Sequence, residues 1–256
     1  MIAISLQSGS NGNCIYVEAD GVRLLFDAGI SGIQAEQRLA ALGKDIRRVD
    51  ALIISHDHAD HLRCAGIYQR KYGIPLHITP RTLAAGKTLR LGRLSEVRPF
   101  QAGEGISFGS VSVQTIPTPH DGADGVAFVV ETPKRRLGIL TDLGHLFQGL
   151  ETVIASLDAI FLESNFDPEM LEKGPYPEFL KQRIRGLGGH LSNEEAAGVL
   201  KGSATDRMQW VCLAHLSEHN NHPELARRTH QKFLGRRFPI HIAGRYEATE
   251  VLKVQS

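Results

Sequence analysis

No apolar run in the 256-residue chain approaches the ~20 residues that a membrane-crossing helix requires. The opening MIAISLQSGSNGNC has no basic stretch, no long apolar core and no small-residue cleavage site, so it predicts a first strand rather than a signal peptide. Cysteine is scarce and odd in number. Cys14, Cys64 and Cys212 lie far apart, which argues against a disulfide framework and a CxxC zinc site and for a reducing cytoplasm. Nor is there an excess of one charge: 29 Lys and Arg against 28 Asp and Glu leave +1. Any nucleic-acid contact must therefore rest on local basic patches. Low-complexity segments and composition shifts are also missing, and the length suits one large core, so residues 1–256 read as a single domain.

What is present is an ordinary globular mixture, 42% hydrophobic and 22% charged. IAISLQ, CIYVEA and VRLLFDAG predict a meander of strands, Gln34 to Leu42 a helix, ALIIS (51–55) a buried strand, and Leu62 to Lys71 a second helix. Strands recur through the middle (LHIT, EVRPF, GISFG, SVSVQTIPT, GVAFVVET, RRLGILTD). After Asp142 helices and strands alternate: DAIFL, PEFLKQRIRG, SNEEAAGVLKG, MQWVCLAHLS and PELARRTHQKFLG. Periodicity alone supports a mixed α and β chain. Two strand-heavy stretches that each finish in helices predict an α/β fold of four layers, αββα, rather than a doubly wound sheet.

Twelve histidines are many for this length, and their placement matters more than their number. Ser55-His56-Asp57-His58-Ala59-Asp60-His61 puts three imidazoles and two carboxylates directly after an apolar strand. Those are the ligand types of zinc and other borderline divalent metals. A solvated His-rich turn would follow a polar tract instead. His56 and His58, two apart, can face one ion, and Asp60 and His61 can serve a second.

HxHxDH resembles the signature of the metallo-β-lactamase superfamily, and the later ligand positions have counterparts in the same order. The resemblance implies His120 (PTPHDG) as third ligand of the first metal, Asp142 (ILTDLG) as bridging carboxylate, and His215 (CLAHLS) as last ligand of the second. Asp27 in LLFDAG matches the buried aspartate that supports the ligand loop. Alone, His120 or His215 would read as an ordinary histidine; order and context distinguish them. His at 58, where oxygen-reducing di-iron members carry Glu, favours hydrolysis. The implied cofactor is two divalent ions (Zn, Mn or Fe) that activate a bridging water, with Asp60 also orienting the nucleophile.

His190, just ahead of a helix opened by Ser192 and Glu195, would by itself be a polar residue in a Gly-rich turn. The resemblance to phosphodiesterases of the RNase Z and PhnP kind implies instead an acid on the leaving group, oriented by Glu163. Narrower still, SGSNGN, SHDHADH, TPHD, LESNFDPEML, GHLSNEEA and AHLSEHNN resemble the WalJ/YycJ group, which implies a 5′-to-3′ exonuclease on double-stranded DNA linked to mismatch repair. That likeness runs from Ser8 to Asn221. Phe166 departs from it, since the group often has His there. Substrate contacts are expected from Lys181 and Arg183 on a basic helix, from Ser8, Ser10, Asn11 and Asn13 in a tight turn near the metal mouth, and from Ser192 and Asn193. A solvated helix face and a plain hairpin turn are the competing readings. An RNA or small-molecule phosphodiesterase is the second hypothesis. Lactam or thioester hydrolysis would leave His190 and Glu163 without a task, and a non-catalytic metal module would not need the full ligand set.

Overall fold

The computed structural model describes residues 1–255. The first sheet contains β1 (Ile2–Gln7), β2 (Cys14–Ala19), β3 (Val22–Phe26), β4 (Ala51–Ile53), β5 (Leu76–Ile78) and β6 (Val97–Pro99). The second contains β7 (Gly105–Phe108), β8 (Val111–Pro117), β9 (Val126–Glu131), β10 (Arg136–Leu140), β11 (Ala159–Glu163), β12 (Trp210–Ala214) and β13 (Ile240–Ile242). β14 (Leu252–Lys253) returns to the first sheet, so the orders are β14-β1-β2-β3-β4-β5-β6 and β13-β12-β11-β10-β9-β8-β7.

Both sheets begin as antiparallel meanders and turn parallel where helices enter as crossovers, at β3–β4 and at β10–β11. The helices are α1 (Gly32–Ala41), α2 (Ala59–Leu62), α3 (Ala65–Tyr72), α4 (Pro80–Ala85), α5 (Leu150–Ala155), α6 (Pro168–Lys173), α7 (Glu178–Arg185), α8 (Asn193–Ser203) and α9 (Pro223–Leu234). α1 and α8 each start in a full capping box, Ser31 with Gln34 and Ser192 with Glu195.

Strand alternation sorts the apolar side chains into three cores. Phe26, Phe128 and Phe161 meet between the sheets, with the Phe26 and Phe128 rings 5.0 Å apart. Leu25, Leu39 and Tyr68 bind α1 and α3 to the first sheet; Leu213, Ile154 and Leu200 bind α5 and α8 to the second. The four layers αββα are therefore as expected. Many boundaries shift by a residue or more, and three of the shifts concern the first sheet and its helices. β4 stops at Ile53, α1 begins two residues earlier at its cap, and the helix read over 62–71 is two helices. The break falls where the Cys64 N–H leaves the helical pattern and donates to the Ala28 carbonyl at 2.9 Å.

Candidate metal centre

The parallel strands of both sheets deliver polar residues at their carboxyl ends, the rim where ligands gather in α/β sheets. β3 leads to Asp27, β4 to Ser55 and His56, β10 to Asp142, β11 to Glu163 and β12 to His215. Asp27, Asp142 and His215 all take left-handed backbone, with φ of 65°, 55° and 55°. Such strain in non-glycine residues persists where the surroundings enforce it, and it collects at functional sites. Gly29 lets the first sheet close on the ligand loop: a Cβ there would lie 1.6 Å from the Asp60 carbonyl oxygen.

Four overlapping groups of ligand atoms result among the described residues, the members of each within 4.8 Å of one another, and two of them together contain all six ligands that flank Asp142. His56, His58 and His120 form the first, with His58 Nδ1 3.2 Å from His120 Nε2. Asp60, His61 and His215 form the second; Asp60 Oδ2 lies 3.4 Å from both ring Nε2 atoms. Asp142 lies between them. Its Oδ2 is 3.3 Å from His61 Nε2, and its Oδ1 is 3.5 Å from His215 Nε2 and 3.8 Å from His120 Nε2.

The outward nitrogens are already committed. Ser55 Oγ lies 2.9 Å from His56 Nδ1, Asp27 Oδ2 2.7 Å from His61 Nδ1, and the Gly189 carbonyl accepts from His120 Nδ1 at 2.8 Å. Asp27 Oδ1 in turn accepts from the Ser55 N–H at 2.8 Å. The Nε2 atoms of His56, His61 and His120 are thereby left to the centre, which His58 faces through Nδ1 instead. His56 Nε2 and Asp142 Oδ2 are buried with no hydrogen-bond partner, which in a polar site calls for an ion. A nitrogen and oxygen donor set of this kind suits Zn, Mn or Fe, and the clustered residues make a two-metal site.

Charge states agree. Burial, then the neighbouring His61, holds His56 far below the ordinary imidazole range, and burial with His120 lowers His58. Burial also opposes charge on His61 and His215, but Asp142 overrides it at both, joined by Asp27 and Asp60 at His61 and by Asp60 at His215, and both titrate high. Against the same burial, His61 and His215 hold the Asp60 and Asp142 carboxyls far below theirs. The anionic carboxylates and the neutral His56 and His58 are ready for a divalent cation, whereas His61 and His215, held protonated by the same carboxylates, would each give up a proton to bind it.

One more pair stands at the site. Glu163 is fully buried, and its Oε2 accepts from the Leu143 N–H at 2.9 Å. Its Oε1 lies 2.6 Å from His190 Nδ1. The His190 ring stacks on His215 at 5.1 Å and 29°, and its side chain keeps 19% exposure. Gly189 makes that placement possible, since a Cβ would meet the Ile184 carbonyl oxygen at 2.1 Å. That carbonyl accepts the His190 N–H.

The metallo-beta-lactamase superfamily model matches residues 8–152. Exodeoxyribonuclease YycJ of Bacillus anthracis is 35% identical over 92% of this chain and 92% of its own. Exodeoxyribonuclease WalJ of Streptococcus pneumoniae is 34% identical over 88% and 84%. The chain belongs to the metallo-beta-lactamase superfamily, in its WalJ/YycJ group. It is a metal-dependent hydrolase. The metallo-beta-lactamase fold protein YhfI of Bacillus subtilis superposes with a TM-score of 0.73 at 14% identity, covering 97% and 98%, a likeness of fold.

In this superfamily member the expected substrate contacts divide. Ser10 and Arg183 line an open cleft of about 300 Å³ together with His58, Asp60, His190 and His215. Arg183 is steadied there by Asp121, Nε to Oδ2 2.7 Å. The other six have internal partners. Ser8 Oγ accepts the His215 N–H at 2.8 Å, and Asn13 Nδ2 abuts His61 Nε2 at 2.9 Å and Asp60 Oδ2 at 3.2 Å. Asn11 Oδ1 accepts from Arg245 at 3.0 Å, and Lys181 donates to the Glu172 carbonyl. Ser192 caps α8, and Asn193 accepts from Ser164 Oγ at 2.6 Å. Phe166 is buried with Leu171 and Ile184, under the helix that carries Arg183. Sequence reasoning passed over three further residues. Asp57 accepts the Ala123 N–H at 2.7 Å, Asp121 lies 3.3 Å from His58 Nε2, and Asn165 Nδ2 lies 3.0 Å from His215 Nδ1. All three sit beside motif residues, and that adjacency was the available signal.

Proposed function

We propose that this hydrolase is a phosphodiesterase that degrades double-stranded DNA from a 5′ end. His56, His58 and His120 would hold one cation and Asp60, His61 and His215 the other, with Asp142 placed between the two groups. Two divalent cations supply a nucleophile at neutral pH and offset charge developing on the phosphoryl group. The protein does the rest. Asp27 and Ser55 fix ring orientations, Asn165 braces His215, and Arg183 meets the phosphate at the cleft. His190, bound through Nδ1 to Glu163, keeps Nε2 for donating a proton to the departing alkoxide.

The pairing of His190 with the buried Glu163 at 2.6 Å is the observation that carries the reading. The alkoxide of a phosphodiester is a poor leaving group and needs an acid, whereas the thiolate of a thioester leaves without one. DNA as the substrate is supported by the names of the WalJ and YycJ relatives, and a cytoplasmic setting by the free Cys14, Cys64 and Cys212. Purified protein with Mn²⁺ or Zn²⁺ is to be offered 5′-labelled duplex DNA, single-stranded DNA, RNA, bis-p-nitrophenyl phosphate and a thioester. Release of labelled mononucleotide from duplex DNA is expected. Cleavage of RNA alone would move the substrate class, and fast thioester cleavage without nucleic-acid turnover would end the phosphodiesterase reading.

A further inference from the structure

Beside the ligand cleft lies a larger one of about 720 Å³, within the ~300–1,000 Å³ usual for sites that take small molecules. The two adjoin through the loop after β12: His215 lines the first and Leu216 the second. Ser8, which receives the His215 N–H, also lines the second.

The lining does not suit a phosphate. Glu218, Glu224 and Glu247 outnumber Arg227 and Arg245, and both arginines are spent within the protein. Arg245 donates to the Leu216 carbonyl at 2.6 Å and to Asn11, while Arg227 donates to the Ile240 carbonyl. Leu216, Pro223 and Ile242 add apolar surface. Tyr246 stands at this cleft with 67% of its surface exposed, and its hydroxyl donates to Glu218 Oε1 at 2.9 Å, which fixes the ring. An exposed, tethered aromatic face with carboxylate acceptors nearby matches a planar heterocycle bearing amino groups.

We propose that this second cleft takes one unstacked base of the substrate strand next to the scissile phosphodiester, stacked on Tyr246. The inference rests on the phosphodiesterase reading above and names a subsite for it. Arg183 and Ser10 then meet the backbone on one side while Tyr246 meets a base on the other.

The test is steady-state kinetics of the full chain with Mn²⁺ on a labelled duplex, intact or with one abasic nucleotide walked through the first positions from the labelled end. Y246A is expected to raise KM for intact DNA about 10-fold or more, with kcat little changed. Y246L behaves the same way, because it keeps bulk without a π face; Y246F stays near wild type. At one abasic position wild type and Y246A converge, because no base remains to stack. Wild-type KM for Y246A on intact DNA, or a Y246A effect independent of abasic position, overturns the base subsite while leaving the nuclease reading intact. Hydrolysis of bis-p-nitrophenyl phosphate by wild type with no DNA cleavage overturns the DNA reading, and the subsite falls with it. Thermal midpoints of the three variants guard against loss of fold.

Discussion

A histidine works as an acid only when its ring is held and one nitrogen is spoken for. His190 meets both conditions through Glu163 and the stack on His215. H190A is expected to lower kcat by ~10²–10⁴-fold, the usual range for a general acid, while elemental analysis still finds two metal equivalents. Added imidazole should restore part of the rate. E163Q should lose less, because the acid itself stays and only its orientation suffers, the single carbonyl oxygen serving one of the two donors, His190 and the Leu143 N–H. Metal lost together with activity in H190A would instead make His190 a ligand. At this scale, legibility followed contiguity. His56 to His61 stood out because five of six successive residues carry an imidazole or a carboxylate. Ser8, Asn13 and Lys181 also looked available in sequence, but a polar side chain does not announce that it will find an internal partner, and all three did.

Strand ends, rather than whole elements, carry the site, and that explains which elements were readable. β9 and β11 are continuous apolar runs buried along almost their whole length, so their signal survives. β13 and β14, three and two residues long, have no period to detect, and they form because the sheets already exist to pair with. The break between α2 and α3 likewise depends on Ala28, a residue more than thirty positions earlier. α9 supplies a test away from the chemistry. His230 is fully buried on this helix, its Nδ1 3.0 Å from the Ala226 carbonyl and its Nε2 without a partner. Burial pushes its pKa down to about 4, from 6.5. The unfolded chain therefore takes up a proton before the folded one does. Stability is complete above pH 6.5 and declines as pH falls towards 4, at ~1.4 kcal/mol per pH unit at most. H230L should flatten that part of the profile, read as urea midpoints of both proteins between pH 7 and pH 4.5. Parallel profiles for the two would show that His230 titrates normally in the folded protein.

Across the whole molecule, the two sheets touch the centre from opposite sides. His56, His58, Asp60 and His61 follow β4 of the first sheet, whereas His120, Asp142 and His215 follow β8, β10 and β12 of the second. With the ligand roles proposed above, each cation would draw on both sheets and clip the open rim of the sandwich, beyond the inter-sheet core of Phe26, Phe128 and Phe161. A ligand that binds only the folded chain stabilises it by ~3–4 kcal/mol at 100 to 1,000 times its dissociation constant, worth roughly 5–15 °C in a chain of this size. Chelation should lower the thermal midpoint by that order. Amide exchange should rise in the segments 54–62, 118–125 and 141–145 and stay slow in β9 to β11. D142N should reproduce the drop without chelator, since it removes the one carboxylate placed between the two ligand groups. An unchanged midpoint after verified metal removal would mean that the sheets are held by their core alone and that the ions serve only the reaction.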